Sequence, residues 1–470
     1  MRKPLGILAL AAALGGCAVG PVYEAPDIDM PAAWPEGAAL DVESGEALGE
    51  WWRRFEDPAL DRLVARALAD NLEIRLQAAR VEEARARLGL ARAEQLPSVG
   101  AQAEATRERQ PSAAIGLEGF EIPPRNLFSI AGVLSYEIDL WGRLAREREA
   151  AAALLEGNLH AQEAVRLGVI ADVAVGYFGL RSAQRQLDIT ERTLAAREEG
   201  VRIERLRFDA GQIDELSYRQ AESELATARA ELPARIEELR RRESALGLLL
   251  GLSPAELLAA IEVGEGTLED IAWPAAVPAE LPAALLARRP DLRAAEAELV
   301  AATAGVGVAE AARLPQLTLA GLLGTAATRP GDLFGADSEA WSIGATVAGP
   351  VFDAGRGRAR VETAEAQRAQ AELRYRVTAA TAFAEVRDAL AFHASSAARL
   401  AALMEQTQAL RRTEELAQIR YREGYISILE LLTAQRMLLT AELAETRARA
   451  DRLAAVATLF KALGGGWEAH

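Results

Sequence analysis

The sequence predicts a mainly α chain with a membrane β-barrel: long coiled-coil helices plus four strands that cannot close a barrel alone. Three observations carry this. One helical stretch runs from about 143 to 208 without proline. Segments alternate apolar and polar residues over membrane-crossing lengths. The second half of the chain repeats the first.

Composition agrees. The 470 residues are 50% apolar but only 5% aromatic, with Ala, Leu, Glu and Arg dominating. Such usage favours long helices over a mixed globular core. Arg2 and Lys3, then an apolar run from 5 to 14, then Leu14-Gly15-Gly16-Cys17, read as a signal peptide (1–16) that ends in a lipobox. Cleavage leaves Cys17, the only cysteine, as a lipidated first residue, so no intrachain disulfide is expected. Ala18 after it resembles export to the outer membrane. The mature chain keeps 51 basic and 69 acidic side chains, a net charge near −18. That charge argues against nucleic acid as a partner. No later stretch reaches 18 uninterrupted apolar residues, so any membrane crossing must use strands.

A Pro-rich lipid-anchored arm occupies 17–57. Asp57-Pro58 opens a helix, as an N-cap followed by Pro at the first helical position. It runs to about 95 and stops at Leu96-Pro97. A strand follows with Val99, Ala101, Ala103 and Ala105 on one face. The next strand sets Phe128, Ile130, Gly132, Leu134, Tyr136 and Ile138 on one face and Ser129, Ala131, Val133, Ser135, Glu137 and Asp139 on the other. Alternation alone also fits a soluble amphipathic hairpin. The helix from 143 to 208 spans roughly 100 Å at 1.5 Å per residue. It carries a heptad row of Val173, Leu180, Leu187, Leu194, Val201 and Phe208. Three residues on lie Gly176, Ala183 and Thr190, and then Arg197 breaks the small-residue row. This pattern supports close coiled-coil packing. Gly211 stops the helix, and a second helix returns from about 214 to 250 with a kink expected at Pro233.

The first repeat occupies 58–281 and the second 282–463, with a tail at 464–470. Pro290 to Pro315 parallels Leu72 to Pro97, and alternating strands follow from Gln316 and around Trp341. Arg420-Tyr421-Arg422-Glu423-Gly424 matches Arg207-Phe208-Asp209-Ala210-Gly211. Two hairpins give four strands, whereas the smallest barrels have eight. Open edges are not tolerated in lipid, so chains that enter a membrane must share one barrel. A dimer gives eight strands and a trimer twelve.

These features in order resemble the TolC-like outer-membrane efflux proteins, in the lipoprotein branch that serves resistance-nodulation-division pumps. The motifs are Cys17-Ala18-Val19-Gly20-Pro21-Val22-Tyr23, Trp51-Trp52-Arg53-Arg54-Phe55-Glu56-Asp57-Pro58 and Leu134 through Gly142. Arg288-Arg289-Pro290-Asp291-Leu292, Pro350 through Arg356 and the tips at Gly211 and Gly424 complete them. The resemblance implies a homotrimer with a shared twelve-stranded barrel, a long coiled-coil helical tube and an equatorial region near 252–281. It also implies a periplasmic adaptor, an inner-membrane pump and outer-membrane lipids as partners, with no cofactor and no catalytic centre.

The expected adaptor contacts are the tips: Arg207, Phe208, Asp209, Ala210, Gly211 and Gln212, with Arg420, Tyr421, Arg422, Glu423, Gly424 and Tyr425. The resemblance assigns Tyr421 and Glu430 to a periplasmic gate. Glu430 matches the first of two acidic positions there, and Thr433 stands at the second. His160, His393 and His470 match no metal-ligand spacing, and no phosphate loop or nucleophile elbow is present.

Overall fold

The computed structural model describes residues 19–31, 49–109, 111, 123–259, 261, 263–264, 266–274 and 284–465. Cys17, the signal segment and His470 lie outside them. Along the chain come α1 (Pro58–Asp70), α2 (Leu72–Glu94), β1 (Ser98–Glu108), β2 (Arg125–Ile138), α3 (Arg143–Asp209) and α4 (Glu215–Leu249). Then follow α5 (Ala284–Arg288), α6 (Pro290–Ala311), β3 (Gln316–Ala327), β4 (Glu339–Ala348), α7 (Arg356–Arg422) and α8 (Ile428–Ala462). The two long hairpins have equal arms: α3 and α7 have 67 residues each, and α4 and α8 have 35 each. Pro233 sits inside α4, and the helix continues through it from Glu215 to Leu249.

The described residues fall into two compact units. The first holds 19–27, Arg80–Leu159 and Ala294–Arg376. Its sheet is antiparallel in the order β1-β2-β3-β4. Register aligns Val99 with Leu134, Leu134 with Gly321 and Gly321 with Ile343. Cross-strand partners share a face, so one face collects Val99, Ile130, Leu134, Leu323, Trp341, Ile343 and Val347. All seven are exposed, Ile343 at 86% and Trp341 at 70%. The opposite face carries Gln102, Glu104, Ser135, Glu137, Thr318, Ser342 and Thr346. Among the described residues β1 and β4 each pair on one side only. No described helix is long and apolar enough to cross a membrane.

The sheet meets the helices at two matching corners. Asp139 accepts the Ala145 N–H at 2.8 Å, and Asp353 accepts those of Gly355 at 3.0 Å and Gly357 at 2.6 Å. These bonds occupy orphan donors at the starts of α3 and α7 and hold the Asp353 carboxyl below its ordinary range. The N-terminal arm is fastened beside them. Val19 N–H donates to the Trp141 carbonyl at 3.1 Å, and the Tyr23 hydroxyl donates to Glu296 at 2.8 Å. Gly20 packs so tightly on Gly307 that an added Cβ would lie 2.4 Å from its Cα.

The second unit holds Ile28–Ala79, His160–Arg293 and the chain from Val377. Its core explains the Trp-Trp-Arg-Arg-Phe motif. A 3-10 turn at Trp51–Phe55 buries Trp51 and Phe55, and Trp51 stacks on Phe460 with ring centroids 5.3 Å apart. Asp57 caps α1 through the Ala59 N–H at 2.7 Å and accepts the Tyr177 hydroxyl at 2.6 Å. The helix expected from 58 to 95 is two helices that break at Asn71. The Asn71 side chain accepts the N–H groups of Glu73 and Ile74 while donating to the Leu249 carbonyl at 2.8 Å. A side chain that caps a new helix outcompetes continuation of the old one. Arg289 is buried and ties Asp291 (2.7 Å), Glu385 (2.6 Å) and the Ala462 carbonyl (3.0 Å) together.

Candidate functional site at the helical tips

Both tips lie in the second unit and are built alike. Gln212 N–H donates to the Arg207 carbonyl and Gly211 N–H to that of Phe208, at 2.8 and 2.9 Å. Tyr425 and Gly424 repeat this on Arg420 and Tyr421, at 2.8 and 3.0 Å. This is the Schellman arrangement, which needs a left-handed residue after the helix. Gly211 and Gly424 supply it with φ of 69° and 77°. Asp214 then caps α4 through the Ser217 N–H, and Ser427 caps α8 through that of Glu430.

The tip residues divide into two groups. Asp209, Ala210, Gly211, Gln212, Arg420, Arg422, Glu423, Gly424 and Tyr425 are exposed around the turns. Phe208 stacks on Tyr218 with centroids 5.6 Å apart. Arg207 and Tyr421 turn toward each other instead. The Tyr421 hydroxyl donates to Glu204 at 2.8 Å, Arg207 donates to that hydroxyl at 3.1 Å, and the Arg207 guanidinium lies 5.3 Å from the Tyr421 ring centroid. Glu204 is 3% exposed. Burial, then the bond to the Glu204 carboxylate, pushes the Tyr421 hydroxyl up to about 12. This clasp joins α3 to α7.

Glu430 is exposed and stands apart from the clasp, taking the Ser427 hydroxyl at 3.2 Å. That bond gives it a capping role at the start of α8, whatever it does at a mouth.

Sequence reasoning missed Glu204 and the role of Arg197. The row Gly176, Ala183, Thr190 does not end at Arg197; it continues at heptad spacing through Arg197 and Glu204 to Gly211. Arg197 and Glu204 are both buried. Arg197 bonds Gln435, pairs with Glu224 at 3.8 Å, and Gln435 bonds Glu414 at 3.2 Å. One arginine thus connects α3, α4 and α8, and through Gln435 also α7. Burial, first among its causes, lowers the proton affinity of Arg197. The available signal was two ionisable residues continuing a buried heptad row.

Among the described residues no group of three or more His, Cys, Asp or Glu side chains is placed to hold a metal. A sheet with one apolar exposed face, together with paired long hairpins fastened at their tips, defines an outer-membrane channel protein. The chain belongs to the outer membrane efflux protein family, which matches residues 63–252 and 281–465. It is 34% identical to the toluene efflux pump outer membrane protein TtgI of Pseudomonas putida, covering 97% of this chain and 96% of that protein. It is 34% identical to the outer membrane protein OprJ of Pseudomonas aeruginosa, covering 100% and 97%. Among solved structures, the outer-membrane channel OprN matches with a TM-score of 0.88 at 32% identity, covering 96% of this chain and 100% of that one. The Campylobacter jejuni CmeC outer membrane channel matches at 0.87 and 26%, covering 96% of each. The protein is accordingly a passive channel of the bacterial outer membrane and not an enzyme.

Proposed function

We propose that the chain is one third of the exit duct of a tripartite efflux pump. Three copies close one twelve-stranded barrel, each chain anchored by lipid at Cys17. The adaptor in the periplasm grips the tips around Gly211 and Gly424, and a resistance-nodulation-division pump in the inner membrane supplies the energy. The domain division follows the repeat, with a signal at 1–16, an arm at 17–57, repeats at 58–281 and 282–463 and a tail at 464–470. The relatives' names specify toluene, solvents and antibiotics. Small toxic solutes of this kind are the proposed cargo, chosen by the pump and not by the duct.

The observation that carries this reading is the sheet. It exposes an apolar face and leaves β1 and β4 open at its edges. Lipid does not accept an open strand edge, so β4 of one copy must meet β1 of the next. In the closed state the Glu204–Arg207–Tyr421 clasp holds the tips, and Glu430 lines the mouth. The test is a gel of membranes without boiling. A trimer band that collapses to monomer on heating is expected, and it should persist in part in Cys17→Ser because the barrel itself is buried in lipid. A monomer under all conditions would contradict the shared barrel.

A further inference from the structure

Within the second unit, α3, α4 and α8 line a cavity of 440 Å³ that is open on one side. Four arginines line it, Arg197 from α3, Arg235 from α4, and Arg436 and Arg447 from α8. Two carboxylates line it, Glu224 and Glu231. Glu224 is shared by Arg197 at 3.8 Å and Arg436 at 3.6 Å. Glu231 is taken by Arg235 at 3.2 Å. Arg447 has no carboxylate partner among the described residues; its Nε donates to the Gln186 side-chain amide oxygen (Oε1) at 3.1 Å, the same oxygen that Arg235 reaches at 3.4 Å. The Arg235 Nε is buried with no acceptor. Arg197 is 8% exposed, and Arg447 enters from the exposed side.

The lining therefore carries two positive charges more than negative. A buried donor without an acceptor, as at the Arg235 Nε, is costly. Arg436 and Arg447 reach the cavity from exposed positions, and guanidinium forks match the oxygens of tetrahedral oxyanions. We propose that this cavity is an anion-binding site for a small dianion of the phosphate or sulfate class. The threonine hydroxyls of the lining add no donors, since Thr190, Thr193, Thr227 and Thr440 each donate to a carbonyl one turn back in their own helix. Recognition rests on the arginines. The bound dianion bridges α3, α4 and α8 and braces the two hairpins against separation.

The test uses the full-length protein purified as its native oligomer. Thermal unfolding is followed against inorganic phosphate, sulfate and glycerol 3-phosphate, each at constant ionic strength set with sodium chloride. Saturable stabilisation is expected, at least tenfold weaker in half-saturation for Arg447→Gln and for Arg235→Gln. Glu231→Gln removes a competing negative charge and should tighten it, which keeps the proposal testable if an arginine variant folds poorly. Arg358→Gln, in the first unit and outside the lining, is the control. Preference for glycerol 3-phosphate over phosphate would assign the site to esterified phosphate, and the reverse to the free ion. Stabilisation that never saturates, or that is equal in wild type and all variants, overturns the proposal.

Discussion

At the residue scale the protein is fastened by a few buried polar groups. The Tyr421 hydroxyl, ordinarily ionising near 10, is held up to about 12 by burial and by Glu204. A raised pKa means that the clasped tip holds the proton more tightly than one in which Tyr421 is freed from Glu204. The clasp contribution is therefore complete below about pH 10 and is lost as pH rises from there to about 12. Channel closure should be flat from pH 6 to 9 and fail above 10, and Tyr421→Phe should abolish that alkaline step. Arg289 is a second such fastening. Arg289→Ala leaves the Ala462 carbonyl without its donor and breaks two ion pairs, for a loss of about 2–3 kcal/mol in denaturant unfolding. Arg289→Lys should recover only part, because a single ammonium cannot reproduce the two-nitrogen grip on Asp291.

At the element scale, turn chemistry decides where helices end. Gly211 and Gly424 have open space around a would-be Cβ, so alanine there costs only backbone strain, about 1–2 kcal/mol. That cost should show as faster hydrogen exchange at the tips with little change in global unfolding. Gly251→Ala should be far worse, because its Cβ would sit 2.2 Å from the Asp70 carbonyl oxygen. Strands, hairpins and tip glycines were legible in the sequence because period, length and positive-φ glycine are local signals. The break at Asn71 was not, since an asparagine in a helical run looks the same whether it caps or continues. Glu204 and Arg197 were hidden for another reason: a charged residue in a heptad row reads as the end of the seam. Only the positions of Tyr421, Glu224 and Gln435, far along the chain, show that the seam goes on with polar contacts.

At the scale of the whole molecule, the proposed assembly rests on the sheet. A charge on its apolar face should be expensive in lipid, about 2–4 kcal/mol for Ile343→Arg at mid-depth. The neighbouring Ser342→Arg faces the other way and should be tolerated. The share of heat-sensitive oligomer recovered from membranes compares the two directly. The proposed duct needs both this sheet as its shared barrel wall and the Glu204–Arg207–Tyr421 clasp as its shut mouth.

The most direct test of that claim is single-channel conductance of the purified protein in a planar bilayer, with wild type beside Glu430→Ala and Tyr421→Phe. The account predicts a small, mostly closed, cation-selective current in wild type that grows when the clasp is cut, and grows again if Glu430 rings the mouth. Growth in Tyr421→Phe but not in Glu430→Ala would keep the duct and leave Glu430 as a helix cap only. No channels from folded, correctly oligomeric protein would contradict the duct itself.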